Sequence, residues 1–302
     1  MLSDQFVQTC HEAIVEAVAF AQKDRVSASD SPELKSIAWR EFYVAAPAEW
    51  GRDGPWTMEI AGSAHSVGAL AVMPSTQTLF SLSQLIRPGQ QIAAFGFEIM
   101  ARSVLESSSR AWWIYDPKID LRTRVARGKT VELYSVDEGV KAERAATDDT
   151  LHFAPHRERI VREAETLGLT PDYSKGGDLI GYEGQRRPDS TTIIEEMLGD
   201  LLGRRPASKA VYRLYSAIDH ATVYAMIRSL TTLSTTKTTA TVTPYVTNDQ
   251  VANATAFAIT AHLGVLSRRA RLYGFNHLEI DSKRFTLCGS ILHGAGQLRA
   301  IN

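Results

Sequence analysis

The sequence predicts an all-α protein, a multi-helix bundle of about eight helices joined by long loops. Apolar residues recur mainly at the three- and four-residue spacing that places them on one face of a helix. Of the 302 residues, 44% are hydrophobic and 22% are charged, which is typical of a globular chain and excludes wholesale disorder. The strongest local bias against helix is a single threonine-rich segment in the last third of the chain.

The amino-terminal part is predicted to hold helices on either side of a long connection. Residues 6–21 read as an amphipathic helix. A connection over residues 24–55, rich in serine, glycine and proline, holds a short helix near residues 34–44. The next helix starts at residue 55 and is expected to end at Pro74, because a proline ring has no N–H to donate and clashes with the preceding turn. A further short helix is expected over residues 78–86.

The central part is predicted to be a helical hairpin. One long helix covers residues 90–115 and a second covers residues 120–146, with a short turn between them. Another helix follows over residues 155–167. Residues 168–188 contain seven glycines and prolines, so we expect a loop there that is a candidate lid or binding loop.

Two more helices are predicted after this loop. Thr192 and Glu195 have the spacing of a capping box, which indicates that a helix begins there and runs through residue 202. The next helix is expected to be long, over residues 207–233.

The carboxyl-terminal part is predicted to contain an extended segment followed by a helix. Nine of the seventeen residues from 231 to 247 are threonine, which favours a linker or a hairpin. A last long helix is predicted over residues 249–273. Residues 275–302 mix short apolar pieces with glycines and predict no long element.

The chain is expected to form one continuous domain. Residues 1–88 read as an amino-terminal helical elaboration and residues 89–302 as the main bundle. A formal net charge of −1 argues against a strongly basic nucleic-acid coat protein. Two cysteines, Cys10 and Cys288, cannot form a disulfide framework. With no secretory signal and no apolar segment of membrane-spanning length, we expect a cytoplasmic protein without a membrane partner.

The first candidate catalytic pair is Arg213 and His220. Seven residues apart on a helix, they share a face about two turns, roughly 10 Å, from each other. A histidine can move the proton of a 2′-hydroxyl or of a leaving oxygen, and an arginine can hold a charged phosphate. Arg271 and His277 have a similar spacing, and about two such pairs are expected by chance. The position of Arg213 and His220 inside a strong helix favours the first pair.

A second group of charged residues lies on the predicted helix over residues 90–115. Arg102, Glu106 and Arg110 follow each other at four-residue intervals, so the carboxylate lies between two guanidinium groups. The neighbouring Trp113 indicates that this end of the helix is partly covered. The group is interpreted as a structural network or, in the alternative, as an anion-binding site.

Polar and aromatic residues also recur on the helix of the candidate pair. Tyr212, Ser216, His220 and Tyr224 follow each other every four residues and form one stripe, with Tyr215 close to it. Such a stripe lines a pocket or faces a neighbouring helix.

These two blocks resemble a known kind of protein. Residues 102–106 (Arg-Ser-Val-Leu-Glu), 110–113 (Arg-Ala-Trp-Trp) and Asp116-Pro117 resemble a family of uncharacterised bacterial helical proteins, which is distantly similar to the HEPN superfamily. The block from Tyr212 to His220 resembles a second part of the same pattern, and together the resemblance covers about half of the chain. It implies a metal-independent ribonuclease in which two subunits combine their Arg213/His220 pairs. HEPN sites usually place a polar residue after the arginine, whereas this chain has Leu214.

Three functions therefore stay open. The first is an endoribonuclease of a toxin or defence system, with RNA as partner and a homo-oligomer as the active form. The second is a small-molecule binder or enzyme, with a pocket walled by Trp112, Trp113, Tyr212, Tyr215 and Tyr224 under the glycine-rich loop. The third is a non-catalytic interaction scaffold. The candidate substrate-binding residues are Arg102, Glu106, Arg110, Trp113, Tyr212, Tyr215, Ser216 and Tyr224.

No cofactor and no metal site is expected. Asp148, Asp149, His152 and His156 are close in sequence, but Pro155 interrupts any helix that would align them. The Glu-x-x-His pattern of di-iron helical bundles does not occur in the chain.

Overall fold

The computed structural model describes residues 2–27, 32–51, 57–146, 152–203, 205–220, 222, 230–235 and 240–296. It confirms the all-α class, with ten helices in these ranges rather than about eight. The helices are α1 (Asp4–Ser27), α2 (Ile37–Arg40, π-helical Glu41–Ala45 and Ala46–Trp50), α3 (Thr57–Leu85), α4 (Gly96–Ile114), α5 (Leu121–Ala146), α6 (Phe153–Thr166), α7 (Ser190–Leu202), α8 (Arg205–Asp219), α9 (Asn248–Tyr273) and α10 (His277–Gly294). No helix of the described residues is long and apolar enough to cross a membrane.

Helix α3 continues through Pro74, so the expected break there is wrong. Val72, Ser75 and Thr76 are buried beside the proline, and their packing holds the segment helical although one backbone hydrogen bond is lost. The Ser75 hydroxyl donates to the carbonyl of Val72 at 2.8 Å, and it lies 2.8 Å from Nδ1 of His262 on α9. The loss of this one backbone hydrogen bond costs less free energy than unpacking this side of the core would.

The glycine-rich segment is not a free loop but a three-stranded antiparallel sheet. Strand β2 (Leu179–Tyr182) pairs with β1 (Pro171–Tyr173) on one side and with β3 (Gln185–Arg186) on the other. Gly181 is required by close approach, since a Cβ there would lie 2.7 Å from the carbonyl oxygen of Gln185. Gly177 and Gly184 adopt the positive φ of tight turns, and Gly181 allows close packing within the sheet and on α5.

Helix α7 ends at Leu202 as predicted but begins earlier than predicted, and α8 differs from the prediction at both ends. Asp189, not Thr192, caps α7, and its side chain accepts the Thr192 N–H at 3.0 Å. Helix α8 ends at Asp219, well before the predicted residue 233.

The carboxyl-terminal part confirms one expectation and corrects another. The threonine-rich segment forms an antiparallel hairpin of β4 (Leu230–Thr235) and β5 (Ala240–Pro244), as predicted. Residues expected to be short apolar pieces instead form α10, which Asn276 caps and whose buried residues include Ile280, Leu287 and Ile291.

Two hydrophobic cores hold the helices together. The main core takes buried residues from all of the helices except α5 and α6. The second core lies between α2, α3, α5, α6 and strand β2. Both cores contain residues from either side of position 88. The division into residues 1–88 and 89–302 stays a prediction.

A buried ion cluster lies at the junction of the two cores. Arg124 of α5 is fully buried and donates to both carboxylate oxygens of Glu41 at 2.9–3.1 Å. Its remaining N–H groups donate to the backbone carbonyls of Ile114 and Asp116 at the end of α4. His65 of α3 lies 2.8 Å from the same carboxylate through Nε2. The cluster therefore joins α2, α3, α4 and α5.

Aromatic rings enclose the imidazole of His65. Phe42 stacks on it at 5.2 Å between centroids, and the edge of Tyr273 meets it at 5.4 Å. The Tyr115 hydroxyl donates to the His65 carbonyl at 3.0 Å. Gly68 makes room for that tyrosine, since a Cβ there would lie 2.6 Å from the ring. This burial lowers the pKa of His65, so the imidazole is neutral in the folded protein.

We expect Arg124→Met to destabilise the protein by about 3–5 kcal/mol, because Glu41 would stay buried without its counter-charge. Urea unfolding followed by circular dichroism measures this change. Arg144→Met, at an exposed position of the same helix, is the matched control and should change stability by less than about 0.5 kcal/mol. An equal effect of the two substitutions would contradict a structural role for the buried pair.

Stability is also expected to fall on acidification. Burial raises the pKa of Glu41, but the His65 hydrogen bond and the Arg124 charge outweigh this and lower it overall. Since the pKa values of both His65 and Glu41 are lowered by folding, the unfolded chain takes up their protons first. The loss should begin as pH falls through about 6.5, the ordinary value for histidine, and continue below about 4.5. Urea unfolding of wild type and His65→Gln between pH 7.5 and 4.5 tests this. The variant should lose less stability between pH 7 and 5.5, and an unchanged profile would contradict the assignment.

Candidate functional site

The row of charged residues on α4 is partly buried and paired, as one of the two sequence interpretations requires. Nε of Arg102 donates to Oε1 of Glu106 at 2.9 Å, one helical turn away. Arg110 continues the row one turn further along. Trp113 is buried at the end of the helix, where Arg127 covers its ring at 4.9 Å and donates to its carbonyl. Trp113 is therefore a packing residue in this structure.

Helix α8 lies against this row, so the two sequence blocks meet although about a hundred residues separate them. The Tyr212 hydroxyl donates to Oε1 of Glu106 at 3.0 Å. Arg102 forms a second link, an ion pair with Asp219 in the last turn of α8. Its guanidinium carbon also lies 5.6 Å from the centroid of the Tyr212 ring. These contacts run in opposite order along the two helices, so α4 and α8 are antiparallel here.

These contacts shift the pKa values of Tyr212 and Arg102. Burial raises the pKa of Tyr212, and the charge of Glu106 raises it further. Burial lowers the pKa of Arg102, but Glu106, Tyr212 and Asp219 outweigh this and raise it. The Tyr212 hydroxyl therefore keeps its proton and donates it in a hydrogen bond. The positive charge of Arg102 is balanced by the carboxylates of Glu106 and Asp219.

Arg213 and His220 lie on the solvent side of α8, and both are exposed. Seven helical residues separate them, so they are within about 20° of the same direction around the helix axis. His220 follows the last helical residue directly, and its N–H donates to the Ser216 carbonyl at 3.0 Å, which keeps it in the helical turn. Tyr215 and Ile218 are buried on another face and hold α8 on the main core.

Arg110 lies near a second arginine, Arg187, as well as near the carboxylate of Glu106. It lines a narrow crevice with Glu106, Trp113 and Arg187, the last of which precedes α7. Burial lowers the pKa of Arg110, and the positive charge of Arg187 lowers it further. Among the described residues, neither arginine forms an ion pair with a carboxylate. Two cations held together in this way attract an anion.

The crevice adjoins a large groove between α5, α6 and the three-stranded sheet. The groove has a volume of about 940 Å³ and shares Arg187 and Pro188 with the crevice. Arg187 lies over the ring of Tyr134 at 3.4 Å. The charged residues of the groove are Asp137, Lys141, Arg144, Arg157, Asp178, Arg186, Arg187 and Asp189. Cations outnumber carboxylates, so the groove favours a negatively charged ligand.

The structure brings some of the predicted site residues together and separates others. Arg102, Glu106, Arg110 and Tyr212 are neighbours, with Ser216 half-buried on the same helix as Tyr212. Tyr215 belongs to the main core instead. Tyr224 lies outside the described residues.

The aromatic pocket of the second hypothesis does not form among the described residues. Trp113 is covered by Arg127, whereas Trp112 lies under Arg268 and lines a different cavity. Tyr212 and Tyr215 lie in the main core rather than in either cavity.

Sequence reasoning missed two residues of this region. Asp219 could have been found, since it lies two turns from Tyr212 on the same helix face. Arg187 could not have been found, because the glycine-rich segment has no regular hydrophobic pattern from which the direction of its side chains could be predicted.

Metal ligands do not cluster in the part of the chain that the structure describes, where no group of three histidine, cysteine or acidic residues has the geometry of a metal site. Asp148 and Asp149 lie outside the described residues. Burial raises the pKa of the Cys10 thiol to about 12, so the thiol is un-ionised and suited to packing.

Comparisons of the chain with protein families, with curated proteins and with solved structures find no match.

Proposed function

We propose that the protein is a metal-independent endoribonuclease and that Arg213 and His220 are its catalytic residues. The observation that carries the proposal is their placement: both side chains are exposed on one side of α8, next to the turn that Arg102 fixes through Asp219. A pair that only stabilised the fold would be packed against neighbours. An exposed Arg/His pair on an anchored helix can instead meet a phosphodiester.

The reaction needs two proton movements. His220 takes the proton of the 2′-hydroxyl, whose oxygen attacks the adjacent phosphorus, and Arg213 stabilises the negative charge that builds up on the phosphate oxygens. The bond from phosphorus to the 5′-oxygen breaks, and this oxygen must gain a proton as it leaves. The products are a 2′,3′-cyclic phosphate and a 5′-hydroxyl.

The two proton movements support a homodimer as the active form. One imidazole cannot accept the first proton and donate the second in the same step. A second copy of the chain, with its α8 facing the first, supplies another His220 as the acid. The exposed face of α8 is the surface on which this pairing is proposed.

We also propose that the positively charged crevice and groove guide the RNA strand. Arg110 and Arg187 are proposed to hold a neighbouring phosphate, and the large groove to take the strand further. Arg102, Glu106 and Tyr212 are positioning residues in this account, because their charges and donors are already used to hold α8 on α4.

We expect His220→Ala and Arg213→Ala each to lower RNA cleavage at least about a hundredfold, since each removes one chemical function. The assay uses single-stranded RNA in EDTA, and the cyclic phosphate ends are identified by mass spectrometry. Circular dichroism should show both variants folded, because both side chains are exposed.

His277→Ala is the matched control. His277 stands near Arg271 at a similar spacing, but Gly274 ends α9 between them, so the two do not share a helix. The His277→Ala variant should therefore cleave RNA at the wild-type rate. Wild-type protein that does not cleave RNA in EDTA, or an Arg213→Ala variant as active as wild type, would overturn the proposal.

A further inference from the structure

A second cavity lies away from the Arg213/His220 face, where α4, α7, α9 and α10 come together. It has a volume of about 250 Å³, a little below the roughly 300–1,000 Å³ of ordinary ligand pockets, so it suits only a small ligand. Trp112, Pro117 and Leu201 give it apolar walls. Its charged residues are Lys118, Asp200, Arg268, Arg271, Asp281 and Arg284. Four cations therefore face two carboxylates.

Arg284 is the most unusual residue of this cavity. Its side chain is only 8% exposed, and one carboxylate, that of Asp281, lies 3.2 Å from its Nη2. Its Nε and Nη1 are buried without a hydrogen-bond acceptor among the described residues. Burial lowers the pKa of Arg284 although Asp281 raises it, which shows that the carboxylate compensates the charge incompletely.

Arg268, on the neighbouring helix α9, likewise has a buried nitrogen without an acceptor among the described residues. Nη2 of its guanidinium contacts Oδ1 of Asp116 at 2.9 Å, while Nη1 is buried and has no acceptor in the described part of the chain. The guanidinium lies 3.8 Å from the centroid of the Trp112 ring, which fixes its plane. Burial lowers the pKa of Arg268 more than Asp116 raises it.

Unpaired donors of this kind are costly in a folded protein. A buried N–H without an acceptor costs about 1–3 kcal/mol, and more when it belongs to a charged group. Native structures hold few such groups, and each calls for an explanation, of which a ligand that supplies the missing acceptor is one. Here three nitrogens of two arginines lack acceptors within one cavity wall.

We propose that this cavity binds a small phosphorylated molecule, with its phosphate group on Arg268 and Arg284. A phosphate offers three terminal oxygens that can accept from the three unpaired nitrogens, and its negative charge complements the excess of cations that remains when Asp116 is counted with Asp200 and Asp281. Lys118 and Arg271 are exposed and attract the anion at the mouth. Trp112, Pro117 and Leu201 contact the organic part. The site is separate from the proposed RNA cleavage and shares no residue with it.

Isothermal titration calorimetry with the full chain tests this inference, using inorganic phosphate, ribose 5-phosphate and ribose as probes. We expect both phosphorylated probes to bind and ribose not to bind. Arg284→Gln should weaken ribose 5-phosphate binding about tenfold or more, because it removes a charged donor. Arg271→Gln changes an exposed residue at the mouth, so it should fold normally and also weaken binding.

Arg162→Gln is the matched control, since Arg162 is an exposed arginine that lines a different cleft between α3, α5 and α6. It should bind ribose 5-phosphate like wild type. The inference is overturned if the wild-type protein binds neither phosphorylated probe, if Arg271→Gln binds as tightly as wild type, or if Arg162→Gln weakens binding as much as Arg271→Gln does.

Discussion

Arg124 carries a full positive charge where no water reaches it, and Glu41 is the carboxylate that neutralises it. Removing an ion from water costs several kcal/mol, so such a pair persists only when every donor and acceptor is satisfied. Each guanidinium nitrogen has an acceptor, because Nη1 and Nη2 also donate to two carbonyls at the end of α4. Arg124 therefore links α2, α4 and α5, and His65 adds α3 through Glu41. The π-helical turn that begins at Glu41 belongs to this junction, and such turns are frequent at functional sites.

The end of α4 that Arg124 fixes adjoins the cavity proposed to bind an anion. Asp116, just past the helix, forms the ion pair that holds Arg268 beside the anion cavity. Further back along the same helix, Glu106 and Arg102 hold α8 and so set the direction of Arg213 and His220. Both sites thus rest on one rigid helix with a buried anchor, which is the support that precise chemistry needs.

Much of the fold could be predicted from local signals, and the remainder depends on tertiary contacts. Periodicity predicted α5 and α9, and the threonine content favoured a linker or a hairpin where the hairpin forms, because these elements agree with their own propensities. Helix α3 passes through Pro74 only because the core packs around it, and the glycine-rich sheet forms because α5 supports it. In the site, no sequence signal placed the α4 block against the α8 block, and the contacts of Arg187 and the burial of Arg124 follow from no sequence period.

The most direct test of the account is a crystal structure of the protein with a short RNA whose central nucleotide carries a 2′-deoxyribose, because the attacking hydroxyl is then missing and cleavage cannot occur. The account requires the central phosphate within hydrogen-bond distance of both Arg213 and His220, with a neighbouring phosphate on Arg110 and Arg187. RNA bound elsewhere, with no phosphate near both Arg213 and His220, would contradict it.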